Sequence, residues 1–155
     1  MVYGIREILG QAPEKTPVVY LDGEGRFETS WQVIRKYLRT GDRRRTLIGA
    51  MNDNSALGAL RAYEEAGRSE DCAIMGQNGS QEARQELRKD HSRLVGSVAY
   101  FPEKYGDGLV QLALALLNRR FVAPAIFTPH KLLTSQNVDH IYPHDSIAGY
   151  QETMA

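Results

Sequence analysis

The hydrophobic residues of this chain fall into five short runs rich in valine, isoleucine and leucine. The runs are "PVVYL" (17–21), "TLIGAM" (46–51), "CAIMG" (72–76), "LVGSVAY" (94–100) and "AIFTPHKLL" (125–133). The first four lack the strict alternation of apolar and polar residues that marks a half-exposed sheet. They therefore predict strands that are buried on both faces.

Apolar residues at helical spacing lie between these runs. Three stripes are visible: Phe27, Trp31, Ile34 and Leu38; Ala56, Ala59, Leu60 and Tyr63; and the shorter pair Ala83 and Leu87. Strand and helix thus alternate along the chain. This alternation predicts an α/β fold in which a parallel sheet with right-handed crossovers is covered by helices on both faces.

Two segments do not fit a self-sufficient domain of this kind. The piece "VYGIREIL" (2–9) has a helical pattern but no strand before it, as if the first strand of a βα unit were missing upstream. The helix predicted at "GLVQLALALLNRR" (108–120) is apolar nearly all round, whereas a helix covering one sheet face needs a single stripe. We expect this helix either to fold back on the sheet or to be exchanged between chains, which predicts a homo-oligomer.

Composition and charge narrow the classes of partner. The 155 residues are 42% hydrophobic, as in one globular domain, and 19 basic residues balance 19 acidic ones. This balance predicts no nucleic-acid partner, and the basic cluster "DRRR" (42–45) is interpreted as a solvated loop. The single cysteine, Cys72, cannot form an internal disulfide and is interpreted as a small buried side chain. No segment resembles a secretion signal or a membrane span, so membrane insertion is not expected.

Polar residues follow the predicted strands at the point where each strand ends. In a parallel sheet the carboxyl ends of the strands meet at one edge, where ligands commonly bind. The residues expected at this edge are Asp22 after "VVYL", Asn52 and Asp53 after "TLIGAM", Gln77 and Asn78 in "MGQNG", and Tyr100 and Phe101 in "VAYFP". Amide side chains carry both a donor and an acceptor, and an aromatic ring can cover the apolar side of a sugar. The pattern predicts a sugar or polyol ligand.

Two of these residues also have structural interpretations. Asp53 or Asn54 is a natural N-cap for the helix through Ala56, and Asp22 can form a turn with the glycines that follow it. A metal-dependent activity through Asp22 and Asp53 is a further alternative.

Catalytic motifs are absent from the sequence. There is no G-x-S-x-G, no phosphate-binding glycine loop and no paired metal-ligand spacing. The four histidines (His91, His130, His140 and His144) are scattered along the chain. We therefore expect a protein that is not an enzyme and that has neither cofactor nor metal.

Three longer runs resemble a known family. "NDNSALGALRAYEEAGRSEDCAIMGQNG", "LVGSVAYFPEKYGDGLVQLALALL" and "HKLLTSQNVDHIYP" are similar in order and spacing to the carboxyl-terminal lobe of the type I periplasmic sugar-binding proteins, the ribose-binding-protein-like group. The resemblance covers residues 1–143, with 144–155 as a tail. It implies a three-layer, Rossmann-like lobe of a two-lobe protein, incomplete here, in which residues 106–120 pack in the other lobe.

The resemblance also implies a function and a compartment. Members of this group bind a sugar between their lobes and deliver it to an ABC permease in the periplasm or outside the cell. The alternative is the effector-binding core of a cytoplasmic, lac-repressor-like transcription regulator, which uses the same lobe. The tail "LLTSQNVDHIYP" resembles the ends of the transport-type members and favours transport.

Individual positions match the family's motifs to different degrees. Asn52 matches the asparagine that bonds sugar hydroxyls, and Asp53 matches a helix-capping aspartate. Asn78 stands where ribose-type members commonly have an aspartate, and Tyr100 stands where they have a glutamine. Because an amide lacks the charge-assisted bonds of a carboxylate, we expect a ligand other than ribose.

Overall fold

The computed structural model describes residue 7 and residues 17–41 and 44–145. Within the last two ranges lie nine α-helices and β-strands: α1 Phe27–Leu38, β1 Thr46–Gly49, α2 Asp53–Glu65, β2 Cys72–Asn78, α3 Gln81–Leu87, β3 Leu94–Ala99, α4 Tyr105–Leu117, β4 Lys131–Leu133 and α5 Val138–Ile141. Three sequence predictions fall wholly or partly outside the described residues: the helical piece over 2–9, the "DRRR" loop at 42–43, and the tail from 146 onward.

The four strands form one sheet in the order β1-β2-β3-β4. β1 and β2 are parallel, from Thr46 opposite Cys72 to Gly49 opposite Met75, and β2 and β3 are also parallel. With helices flanking this sheet, the predicted α/β fold is confirmed.

The last strand corrects the prediction of an all-parallel sheet. β4 pairs antiparallel with β3, with Ser97 opposite Leu133, and spans only the end of the predicted run 125–133. The physical reason is the route of the chain. The chain leaves β3 at the carboxyl end of that strand, passes through α4, and re-enters the sheet at the same end, where Lys131 pairs with Ala99. A parallel strand would have required a crossover to the opposite edge of the sheet.

The predicted first strand is also corrected. Residues 17–21 form no strand, and Val19, Tyr20 and Leu21 are exposed. A strand depends on ladder hydrogen bonds to a neighbour, and the four strands of the described chain pair only among themselves. An apolar run without a partner therefore remains irregular.

The predicted helical stripes build the core. Ala56, Ala59, Leu60 and Tyr63 of α2 are buried, as are Ala83 and Leu87 of α3. α1 and α2 approach closely because Gly58 has no side chain, since a Cβ there would overlap the carbonyl oxygen of Phe27. In α1, Ile34 is buried, whereas Phe27 is exposed at the start of the helix.

Cys72 is buried as expected, and burial raises the pKa of its thiol to about 11.

α4 departs from the rest of the fold. None of its residues is buried, and its exposed apolar side chains include Leu109, Val110, Leu114, Leu116 and Leu117. The alternative that this helix folds back on its own sheet is therefore wrong for the described chain. No helix among the described residues has the length and apolar character needed to cross a membrane.

Candidate functional site

The carboxyl ends of β1, β2 and β3 meet at one edge of the sheet. The amide of Ala50 donates to the carbonyl oxygen of Met75 across 2.9 Å, and Asn78 pairs in register with Ala99. The loops that follow these strands are thereby brought side by side. We call this edge the rim; it comprises residues 22–25, 50–52, 77–80 and 100.

Asn52 caps helix α2 and also holds a neighbouring loop. Its Oδ1 accepts from the amide of Ser55 (2.8 Å), which is the arrangement of an N-cap. Its Nδ2 donates to the carbonyl oxygen of Gly25 (2.9 Å), so it ties the loop 22–25 to the rim. The prediction that Asp53 or Asn54 caps this helix is wrong, because the backbone turns into the helix one residue earlier. Asn52 is half-buried, and its amide nitrogen carries a second hydrogen that can also donate.

Asp53 lies beneath the rim, with 1% of its surface exposed. One carboxylate oxygen accepts from the hydroxyl of Ser97 (2.6 Å) and the other from the amide of Ser80 (2.7 Å). Desolvation raises the pKa of this carboxyl, and the hydrogen bonds from Ser97 and Ser80 offset part of the rise. Asp53 thus connects α2, β3 and the turn after β2, and its position offers no support for a metal site shared with the exposed Asp22.

Gln77, Asn78 and Tyr100 lie together at the ends of β2 and β3. The phenol of Tyr100 donates to Oε1 of Gln77 across 2.7 Å. The amide nitrogen of Gln77 remains the group with which it can donate to a ligand, and the phenolic oxygen can accept. Asn78 is exposed and has a φ of 111°, which is rare for a residue with a side chain.

Two further predicted site residues have structural roles. Oδ1 of Asp22 accepts from the amide of Glu24 (2.9 Å), so the turn interpretation of Asp22 is confirmed. Phe101 is buried, with 7% of its surface exposed, and its ring stacks on Tyr142 at 6.0 Å between centroids. Its backbone has a φ of 54°. The prediction that Phe101 lies at the rim is corrected, because its ring packs against the core.

The sequence reasoning missed the residues that hold the turn after β2. The hydroxyl of Ser97 accepts from the amide of Gly79 (3.0 Å), and Nη1 of Arg84 donates to the carbonyl oxygen of Gly79 (2.6 Å). Arg84 is fixed in turn by Asp145, at 2.6 and 3.0 Å. No local spacing signals these contacts, since Ser97 is 18 residues from Gly79 along the chain and Asp145 is 61 from Arg84.

Comparisons by sequence identify no relative, because neither a family model nor a curated protein matches the chain. Comparison with solved structures does find similar proteins. The ABC transporter periplasmic solute-binding protein from Actinobacillus succinogenes 130z with bound D-allose is similar at a TM-score of 0.70 and 20% identity, over 77% of this chain and 42% of that one.

Two other solved structures agree in fold. An ABC transporter solute-binding protein from Agrobacterium vitis with bound D-fucose has a TM-score of 0.66 and 27% identity, over 79% of this chain and 41% of that one. A structure from Mycobacterium smegmatis in complex with β-D-fucofuranose has a TM-score of 0.75 and 22% identity, over 94% of this chain and 47% of that one. The chain spans less than half the length of these three proteins. The predicted resemblance to one lobe of a two-lobe binding protein is confirmed.

Proposed function

We propose that this chain, which has the fold of one lobe of a type I periplasmic sugar-binding protein, binds a neutral sugar or polyol at the rim without catalysis. The observation that carries the proposal is the set of uncharged donors and acceptors at three adjacent strand ends. Asn52, Gln77, Asn78 and Tyr100 belong to that set.

The chemistry of these side chains suits hydroxyl groups. A sugar hydroxyl both donates and accepts, and each amide or phenol of the rim can do the same. A net contribution of about 0.5–1.5 kcal/mol per neutral hydrogen bond means that several must act together. The Tyr100 ring adds an apolar face of the kind that covers a sugar ring.

The same fold also supports a proposal about the whole protein. We propose that a second lobe closes over the ligand and that the complete protein delivers it to an ABC permease in the periplasm or outside the cell. The solved proteins of this fold that bind D-allose and D-fucose are ABC solute-binding proteins, which supports transport over the lac-repressor-like alternative.

Asn78 allows binding to be tested separately from folding. Its φ of 111° suits glycine, so Asn78→Gly removes the side chain without imposing backbone strain. His91→Gly is a matched control, because His91 is also exposed with a positive φ (61°) but lies in the loop before β3, away from the rim.

The experiment is thermal unfolding with D-allose, D-fucose, allitol and myo-inositol, which are ligands of solved proteins of this fold, and with D-ribose. We expect one of the first four to stabilise the chain and the His91→Gly variant by about 1–3 kcal/mol at ~10–100 times its Kd. Asn78→Gly is expected to fold with similar stability and to lose most of that shift. An unchanged shift in Asn78→Gly would contradict the position of the site. No shift with any compound would contradict binding by this lobe on its own.

A further inference from the structure

The turn formed by residues 78–80 is held from inside the protein at three successive backbone groups. The amide of Gly79 donates to the hydroxyl of Ser97, the carbonyl oxygen of Gly79 accepts from Arg84, and the amide of Ser80 donates to the carboxylate of Asp53. Buried backbone groups require such partners, but here all three come from side chains of other elements. The path of the turn is therefore set by residues beneath it.

Asp53 and Ser97 form the centre of this arrangement. Both are buried, with 1% and 0% of their surfaces exposed, and they are joined by a 2.6 Å hydrogen bond between the Ser97 hydroxyl and a carboxylate oxygen. The neighbouring strand leaves room for them at Gly76, where a Cβ would overlap the Asp53 carboxylate. A buried carboxylate bonded on both oxygens is a rigid anchor, because it lies in a low-dielectric environment where its hydrogen bonds are strong.

Asn78 is the residue whose position this anchor determines. Asn78 immediately precedes Gly79 and Ser80, whose backbone groups are held from beneath. Its backbone has a φ of 111°, and the residue is exposed at the rim. A conformation of this kind in a residue other than glycine persists only where the surrounding structure imposes it. The backbone is thus fixed on the inner side while the amide is presented to solvent.

We propose that Asp53 and Ser97 are positioning residues that hold Asn78 in its strained backbone conformation, so that its amide is preorganised for the ligand. The proposal rests on the proposed function, because it takes Asn78 as a ligand-binding residue. Neither Asp53 nor Ser97 touches the ligand; both act through the turn. A preorganised amide binds without the cost of ordering the loop, and this preference for one geometry is the basis of selectivity among sugars.

The chemistry of the anchor requires a carboxylate. The groups that face Asp53 are all donors: the Ser97 hydroxyl, the Ser80 amide and hydroxyl, and the Gly79 amide. Both oxygens of Asp53 must therefore accept. An asparagine has only one accepting oxygen, and its amide nitrogen would meet a second donor. Asp53→Asn should therefore release the Ser80 amide, while Ser97→Ala should release the Gly79 amide.

The test compares Ser97→Ala with Ser92→Ala. Ser92 is a matched control because its hydroxyl donates to Glu86 and accepts from the Leu94 amide, but at the opposite end of β3. For each variant we would measure amide hydrogen exchange at Gly79 and Ser80 by NMR, and the Kd for the compound that stabilises the unmodified chain most among D-allose, D-fucose, allitol and myo-inositol.

We expect Ser97→Ala to speed amide exchange at Gly79 and to raise the Kd about tenfold. Ser92→Ala is expected to lower the thermal stability by a similar amount but to leave both the exchange at Gly79 and the Kd unchanged. Asp53→Asn is expected to speed exchange first at Ser80. Unchanged exchange at Gly79 in Ser97→Ala would overturn the anchor, whatever the chain binds. Faster exchange with an unchanged Kd would overturn the positioning role. If the unmodified chain binds none of the four compounds, the proposed function fails, and the role assigned to Asn78 fails with it. The exchange data then test only whether Asp53 and Ser97 hold the turn.

Discussion

The phenol of Tyr100 donates a 2.7 Å hydrogen bond to the side-chain oxygen of Gln77, and so joins the ends of β3 and β2 at the rim. This bond orients the Gln77 amide so that its nitrogen is the group available to a ligand. Under the proposed function Tyr100 has two roles: its ring covers the apolar side of the ligand, and its hydroxyl orients the Gln77 amide.

Tyr100→Phe separates these two roles. The ring remains, but the Gln77 amide loses the donor that orients it. We expect the affinity for the sugar or polyol identified in the unfolding experiment to fall several-fold, with a loss of stability of about 1 kcal/mol or less. Tyr105→Phe is the control, because the Tyr105 hydroxyl lies on α4 and, within the described part of the chain, makes only an exposed 3.4 Å contact with Thr128. Isothermal titration calorimetry gives both affinities, and equal effects of the two variants would show that the Gln77 contact does not matter.

Asn52 combines capping and loop anchoring. Asn52→Ala is expected to lower the free energy of unfolding by about 1–2 kcal/mol, because the Ser55 amide loses its cap and Gly25 loses a donor. Asn52→Ser should recover the capping part, since its hydroxyl can accept from Ser55, but not the Gly25 bond. Urea unfolding of both variants measures the difference. If the serine variant were as unstable as the alanine variant, Asn52 would not be acting as a cap.

Much of the fold could be predicted because it follows from local patterns. The three parallel strands are runs of apolar residues, and α2 and α3 show their buried stripes in the sequence. The rim could be predicted for the same reason, since parallel strands place their ends together whatever the details of the loops.

The remaining features depend on contacts that local patterns do not contain. The direction of β4 depends on the route of the chain through α4, and the segment 17–21 needed a partner that its own sequence could not reveal. The burial of Phe101 depends on a backbone φ of 54° and on Tyr142, 41 residues further along the chain. The bond between Asp53 and Ser97 joins residues that are 44 apart.

The Arg84–Asp145 pair predicts a dependence of stability on pH. Burial raises the pKa of Asp145, but the hydrogen bonds and charges of Arg84 and Arg88 outweigh it, so the pKa of this carboxyl in the folded chain lies below the ordinary value of an aspartate. The stabilisation is therefore fully present above about pH 4 and is lost as the pH falls through the lowered pKa. Asp145→Asn should lower the free energy of unfolding by roughly 1–3 kcal/mol at pH 7, and the difference from the unmodified chain should shrink below pH 4.

Asp139→Asn is the control for this measurement. Asp139 pairs with Arg88 at 2.6 Å, but 74% of its side chain is exposed, and exposed ion pairs contribute little. We expect a change of about 0.5 kcal/mol or less at pH 7. Urea unfolding at several pH values between 2.5 and 7 measures both variants. A difference for Asp145→Asn that stayed constant over this range would contradict the linkage to the Asp145 charge.

The exposed helix α4 predicts self-association. It presents Leu109, Leu114, Leu116 and Leu117 to solvent, and its neighbouring segment adds Phe121, Ile126 and Phe127. Exposed apolar side chains in this number favour burial against another surface, and the zero net charge of the chain gives little repulsion between copies. We expect light scattering to give a mass above the 17.4 kDa of one chain.

Leu116→Glu should shift the population toward monomer, because it places a charge in the apolar contact. Gln111→Glu adds the same charge at a polar position of the helix and should shift the population less. A monomer at all concentrations, or equal effects of the two variants, would show that α4 does not mediate association between copies.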